Sequence, residues 1–261
     1  AGAGMALKSI KDNHIELLHQ PNEVGSNSLA IAPSRTDDGK AWLLVNSHQP
    51  IEGRFAWYEA HIKSDEGWDV IGGLFPGGTT IFVGTNPYLG WAHTTNYHTF
   101  GNIYKLNHKG NKYLCDGAWK KFETKKAHLK IKLGGIKLGI GKKIRNCEYG
   151  PVFQTKHGWY ALSFPGAKDL RATEQWFRMN EAKNFKEFEN ALKMEAIPLF
   201  NITYADADEN IFYQSGFQMP LRDTSLQWCQ PISGVSSKYK CTTLVPYPRK
   251  PTMWNPECGY L

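Results

Sequence analysis

The sequence predicts an α+β protein in which antiparallel sheet predominates. Two observations carry that prediction. Short runs of β-branched and aromatic residues, separated by Gly, Pro and Asn, recur from Ser26 to Leu106, the pattern of successive strands and tight turns. A helical period is concentrated in one stretch, Asp169 to Ala196, after which strand patterning resumes. Strands, then helices, then strands point to a large, mainly antiparallel sheet system. With 261 residues the chain can bury a sizeable core, as one large domain or two small ones.

The elements follow in order. The opening "AGAGMALKSIKDNHIELL" has a helical flavour and lacks the charged-then-apolar pattern of an export signal, so any such signal would lie upstream. Ser26 to Ala32 alternates as a strand, "RTDDGK" reads as a hairpin turn with Gly39 free to take positive φ, and "AWLLVNS" reads as a fully buried returning strand. Strands continue through "WYEAHIKS", "WDVIGGLFP", "TTIFVGTN", "LGWAHTTN" and "GNIYKLN". Tyr113 to Val152 reads as a string of short strands with glycine bends. Trp176, Phe177, Phe185, Phe188, Ala191 and Leu192 predict two helices parted near Lys183 and Asn184. "FNITYADADENIFYQSGF" is a hairpin turning at Asp206 to Asn210, and "NPECGYL" reads as a chain interrupted inside a domain.

Composition narrows the classes. The apolar runs, such as "AWLLV", fall far short of the roughly 20 residues of a membrane span. The net charge of +7 is concentrated between Lys120 and Arg145. A basic block of this kind is either a solvated edge that discourages strand pairing or a surface for anionic partners. Five cysteines occur without a C-x-x-C pair, which gives no support to zinc or thioredoxin chemistry; Cys229 with Cys241 is the first disulfide to test, and an odd count leaves one thiol free.

Familiar catalytic motifs are absent: there is no G-x-S-x-G, H-E-x-x-H or P-loop. "GGLFPGGTT" lacks the lysine of a phosphate cradle and reads as a tight turn. His48, His61 and His93 have no ligand spacing and read as packed or hydrogen-bonded residues, while Asp206 and Asp208 suit a turn. By composition alone, Ser26 is an ordinary serine at a strand start.

Resemblance changes the reading of Ser26. "GSNSLAIAPSRTDDGKAWLLVNSHQP" resembles the start of the catalytic chain of the penicillin acylase family, N-terminal-nucleophile amidohydrolases that include acyl-homoserine-lactone and aculeacin-type acylases. "GWDVIGGLFPG", "VGTNPYLGWAHTT", "GNIYKL", "YGPVF", "FNITYADADENIFYQSGFQMPLR" and "NPECGY" follow in family order, so the likeness covers nearly all of Ser26 to Tyr260. It implies a four-layer αββα sandwich, incompletely represented in this chain. Residues 1–25 would be the end of a linker or propeptide closing at an autocleavage site, and 26–261 the first part of the catalytic chain.

The resemblance also implies a chemistry. Self-cleavage between Gly25 and Ser26 would free a serine that serves as nucleophile and, through its α-amine, as base. His48 would lie beside it, Thr95 would give a backbone N–H and Asn201 a side-chain amide to the oxyanion, and Arg222 would orient Asn201 and the amine. Phe55, Trp57, Phe75 and Trp91 would line the acyl pocket. The implied substrate is a linear amide of a hydrophobic acyl group, of penicillin, acyl-homoserine-lactone or acyl-peptide type. The implied partner is a separate small chain of the same precursor, with no nucleic acid and no membrane span, in the periplasm or outside the cell. No cofactor is implied, and Thr99 and Asn102 stand where several relatives have calcium-binding aspartates, which argues against that ion. The rival reading is a noncatalytic basic β-domain that binds anionic partners through residues 120–145, or an acylase that never matures.

Overall fold

The computed structural model describes residues 25–53, 55–96, 101–133, 136–167, 169–228 and 230–261. Their strands are β1 (Gly25–Ile31), β2 (Trp42–His48), β3 (Tyr58–Lys63), β4 (Asp69–Leu74), β5 (Val83–Thr85), β6 (Leu89–Thr95), β7 (Asn102–Leu106), β8 (His108–Lys109), β9 (Lys112–Cys115), β10 (Ala118–Lys121), β11 (Glu123–Leu133), β12 (Ile136–Cys147), β13 (Gly150–Thr155), β14 (Gly158–Ser163), β15 (Phe200–Asp206), β16 (Ile211–Gln214), β17 (Ile232–Ser233) and β18 (Thr252–Trp254). Two α-helices, α1 (Ala172–Glu181) and α2 (Phe185–Leu192), lie between β14 and β15. The described residues divide into two compact units, the first within 25–96, 165–220 and 244–261, the second within 101–164 and 221–243.

The first unit is built on a seven-stranded antiparallel sheet in the order β18-β16-β15-β6-β5-β4-β3. Its centre is the pairing of β6 with β15, where Phe200 lies opposite Thr95 and Asn201 opposite Thr94. One face is covered by the helices. Asn184 caps α2 by accepting from the Glu187 N–H at 3.0 Å, and the Glu187 carboxylate accepts from the Lys183 N–H at 2.9 Å, which fixes the break between the two helices where the sequence sets it. Phe188 and Leu192 of α2 and Met179 of α1, all fully buried, pack with Trp91, Ile202 and Tyr204 of the sheet.

The other face carries the β1–β2 hairpin. The inward residues of β1 are small, so that strand approaches the sheet closely: Ser28 Oγ lies 2.7 Å from Thr203 Oγ1, and Ala30 clusters with Ala205 and Ile211. Helices, sheet and hairpin thus supply an α, a β and a second β layer within this unit. The prediction of a fully buried "AWLLVNS" is corrected. Only the side of β2 that shares the face of Ala30 turns toward the sheet; Trp42 is 57 % exposed and Leu44 51 %. An apolar run is buried on both sides only when layers cover both, and among the described residues nothing covers the outer side of this hairpin.

The second unit contains a six-stranded sheet, β11-β12-β13-β14-β7-β17, and a small sheet, β10-β9-β8. Its aromatic core includes Tyr104 stacked on Tyr149 at 4.5 Å and Phe122 stacked on Trp159 at 5.5 Å. Here the expected string of short strands is corrected in part: β11 and β12 form one long ribbon paired continuously from Glu123–Asn146 to Leu133–Ile136. Gly139 and Gly141 lie within β12, with open space where a side chain would be, and neither bends the strand.

Candidate active site

Ser26 sits in β1 opposite Ser47, next to the Gly25–His48 pair. Its hydroxyl donates to the Gly25 carbonyl at 2.5 Å, so Oγ lies beside the one peptide carbonyl that precedes it. The hairpin layer brings Ser26 toward Asn201 by register: Ser28 bonds Thr203 and Ala30 clusters with Ala205, and the same two-residue step back along both strands leads from Ser28 to Ser26 and from Thr203 to Asn201.

Asn201 is held in one orientation. Its Oδ1 accepts from Asn96 Nδ2 at 2.7 Å and from the Gly216 N–H at 3.0 Å. The amide nitrogen is therefore turned the other way, where it donates one hydrogen to Thr94 Oγ1 at 3.1 Å and keeps a second. Thr95 is aimed by the ladder: the Asn96 N–H donates to the Leu199 carbonyl at 2.7 Å, so alternation turns the N–H of Thr95 away from β15. That sets a main-chain and a side-chain donor on adjacent strands, the pairing an oxyanion needs.

A cavity of about 40 Å³ lies beside Ser26. Ser26, Ser47 and Gln49 line it together with the rings of Trp57, Phe75, Phe82, Trp176 and Phe200. The walls brace one another: Trp57 stacks on Phe75 at 4.5 Å, and Phe82 on Trp176 at 4.3 Å. The tight turn expected in "GGLFPGGTT" forms at Phe75–Gly78, closed by the Gly78 N–H on the Phe75 carbonyl at 2.8 Å with Gly77 at φ +87°, and it presents Phe75.

The predicted pocket residues divide. Trp57 and Phe75 line the cavity, and Phe55 backs it with its ring 5.8 Å from Phe75, edge to face. Trp91 is corrected to a core residue: it is fully buried among α2 and the sheet, its ring 6.2 Å from Phe188 and its indole N–H donating to the Phe82 carbonyl at 2.8 Å. Leu89, Trp91 and His93 share the helix-facing side of β6, which decides this.

His93, read from sequence as a packed residue, is packed and lines the cavity. Its Nδ1 lies 3.2 Å from the Asn201 carbonyl, which can only accept, and its Nε2 takes the indole N–H of Trp176 at 3.0 Å, so the ring is the neutral Nδ1–H tautomer. Burial pushes its pKa down from 6.5 to about 4, against the Asn201 carbonyl, which favours protonation. The unfolded chain therefore binds a proton near 6.5 that the folded chain refuses until about 4. Stability present above that upper value is expected to fall, by up to roughly 3 kcal/mol, as pH drops through the window. Urea titrations at neutral pH and near pH 4.5 should show a loss for the wild type that is much smaller in His93→Gln.

His48 is exposed at the end of β2, its Nε2 3.3 Å from both Asn27 and Asn46 amides. Arg222 belongs to the second unit, where its Nε donates to Asn102 Oδ1 at 3.2 Å; the orienters of Asn201 named above, Asn96 and Gly216, lie in the first unit. Of the two residues at the calcium-ligand places, Asn102 accepts from Arg222 through its oxygen, and Thr99 lies outside the described residues. Cys115, Asp116 and Glu148 come within 4.8 Å of one another, but Lys120 already bonds Glu148 at 2.9 Å and Asp116 at 3.5 Å. His61 is a surface partner of Asp69 at 2.7 Å, and Asp206 closes its turn by accepting from the Asn210 N–H at 2.8 Å. Cys241 carries a free thiol directed at the Leu221 carbonyl, and Cys229 lies outside the described residues. Sequence reasoning missed Asn96 and Trp176; the available signal for Asn96 was its place immediately after "AHTT".

A hairpin lying across an antiparallel sheet, with helices on the sheet's other face, is the layering of an N-terminal-nucleophile hydrolase fold. A solved thermostable penicillin G acylase from Alcaligenes faecalis superposes on 90 % of this chain and 43 % of its own, with a TM-score of 0.76 and 25 % identity. The chain belongs to the penicillin amidase family, whose sequence profile matches residues 3–261. It is similar to the acyl-homoserine lactone acylase PvdQ of Pseudomonas syringae pv. tomato, 27 % identical over 205 residues covering 74 % of this chain and 26 % of that protein. Aculeacin-A acylase of Actinoplanes utahensis is 24 % identical over 201 residues, 73 % of this chain and 25 % of the relative. The chain thus spans about a quarter of the length of these curated relatives.

Proposed function

We propose that this protein is an amide hydrolase that matures by cutting itself before Ser26 and then turns over amides of hydrophobic acyl groups through an acyl-Ser26 intermediate. The observation that carries the reading is the Ser26 hydroxyl, 2.5 Å from the Gly25 carbonyl oxygen beside an aromatic cavity. In maturation Oγ attacks the Gly25 carbonyl carbon, the acyl group passes from nitrogen to oxygen, and water hydrolyses the ester. Residues up to Gly25 leave with a new carboxylate, and Ser26 gains a free amine.

That amine has an ordinary pKa of about 7.7 to 8.0, so a substantial share is neutral near pH 7 and can take the hydroxyl proton directly or through one water. The substrate carbonyl is attacked next, and its oxyanion is received by the Asn201 amide and the Thr95 N–H. The proton then goes to the leaving amine, and water releases the acid from the serine ester. The aromatic walls favour an apolar acyl group. By family likeness the working protein includes a small chain from the same precursor and acts in the periplasm or outside the cell.

Incubation with phenylacetyl and octanoyl anilides tests the reading. Release of the aniline should accompany a transient acyl mass on the peptide that begins at Ser26. Release with the acyl mass on another residue, or no release from the matured protein, contradicts it.

A further inference from the structure

Outside the site just described, the feature that asks for an explanation is the β11–β12 ribbon. Residues 120–145 hold ten basic side chains and one acidic one, against +7 for the whole chain, so the rest of the protein is net negative. Only Arg145–Cys147 of β12 pair with β13; from Thr124 to Ile144 the described residues of the ribbon pair with each other alone.

The two faces of the ribbon differ. The register sets Leu129 opposite Ile140 and Ile144 opposite Lys125, on one side with Ala127 and Lys142. The other side carries Lys126 opposite Lys143, and Lys130 and His128 opposite glycines. Both sides are in water: on the first Leu129 is 46 % exposed and Ile140 and Ile144 are each 48 %, and on the second Lys126, His128, Lys130 and Lys143 are exposed. Toward the tip the sequence "LKIKLGGIKL" keeps alternating aliphatic residues with lysine.

We propose that this ribbon is a docking surface for an anionic lipid bilayer, its aliphatic face set at the acyl boundary and its lysines on the phosphates. Charge complementarity and amphipathicity together select this partner. A nucleic acid would neutralise the lysines but leave the aliphatic face in water, and no Trp, Tyr or Phe between Lys125 and Ile144 offers a base to stack on. A neutral apolar protein surface would cover the aliphatic face and leave the lysines without counter-charges. A bilayer rich in acidic lipid answers both at once, because lysine stems extend along the apolar boundary and bring their ammonium groups to headgroup level. The ribbon lies in the interface and does not cross it, since a two-stranded sheet with open edges cannot satisfy its backbone in hydrocarbon.

The proposal is independent of the amide-hydrolase reading and is tested without substrate. The whole chain is mixed with vesicles of phosphatidylcholine containing about 30 % phosphatidylglycerol, or of phosphatidylcholine alone, in about 0.15 M salt. It should sediment with the acidic vesicles only. Lys126→Glu/Lys130→Glu/Lys143→Glu and, separately, Leu129→Ser/Ile140→Ser should each weaken binding at least tenfold with an unchanged circular dichroism spectrum. Leu129→Trp, which keeps an apolar residue, should shift its emission to the blue on acidic vesicles. The proposal is overturned if the wild type stays in the supernatant. It is equally overturned if the serine variant binds as the wild type does, which would mark a plain polycation, or if the Trp emission stays at its aqueous value.

Discussion

Ser26→Ala is expected to leave the bond after Gly25 intact and to abolish amide turnover. The substitution removes the one atom assigned to both reactions and little else: Ser26 is partly buried, its strand pairing with Ser47 uses backbone groups, and among the described residues its hydroxyl bonds the Gly25 carbonyl alone. The variant should therefore fold as the wild type does, so that lost chemistry is not confused with lost structure. Ser26→Cys separates the two roles. A thiol can drive the same acyl shift, so this variant should still self-cleave while turning over amides poorly. Turnover by a folded Ser26→Ala protein would assign the chemistry to another group.

Asn201→Ala is expected to lower kcat by about 10²–10³ with a much smaller change in KM, because the lost donor acts on the oxyanion and not on the ground-state carbonyl. Truncation also strips the Asn96 amide and the Gly216 N–H of their acceptor, so a stability loss of about 1–3 kcal/mol should accompany it. Asn201→Asp resolves the two effects. It keeps an oxygen for both donors but replaces the N–H₂ group with a second, negatively charged carboxylate oxygen, so it should keep the Asn96 and Gly216 bonds and show a kinetic defect at least as large as that of Asn201→Ala. Equal kcat in Asn201→Asp and wild type would remove Asn201 from the oxyanion site.

Local signals carried much of the fold. The helical period of Trp176 to Leu192, broken by a capping Asn184, and the turn signal at Asp206 to Asn210 name elements that form where expected. Packing partners were less legible, because burial depends on which layers arrive from distant parts of the chain. The same apolar pattern is core at Trp91, which meets α2, and surface at Trp42 and Leu44, which no layer covers among the described residues. Alternation predicted strands in β11 and β12, but Gly139 and Gly141 within β12 mark no bend.

The site divided in a similar way. Ser26, Asn201 and Thr95 stand out in sequence only through family likeness, since each is an ordinary strand residue by composition. What aims them was hidden: the Ser28–Thr203 contact joins residues 175 apart, and the Asn96–Asn201 amide pair joins residues 105 apart. His93 illustrates the limit best. Its spacing gives no metal signal, and nothing in "WAHTT" tells that its ring links Trp176 of a helix to the backbone of Asn201.

The central claim is that Gly25–Ser26 is a bond the protein breaks for itself. N-terminal sequencing together with intact mass of the purified wild type, aged in buffer without protease, tests it most directly. The account predicts a new terminus reading Ser-Asn-Ser-Leu, appearing at a rate independent of protein concentration. A chain that keeps its original terminus, or one cut at any other bond, contradicts it.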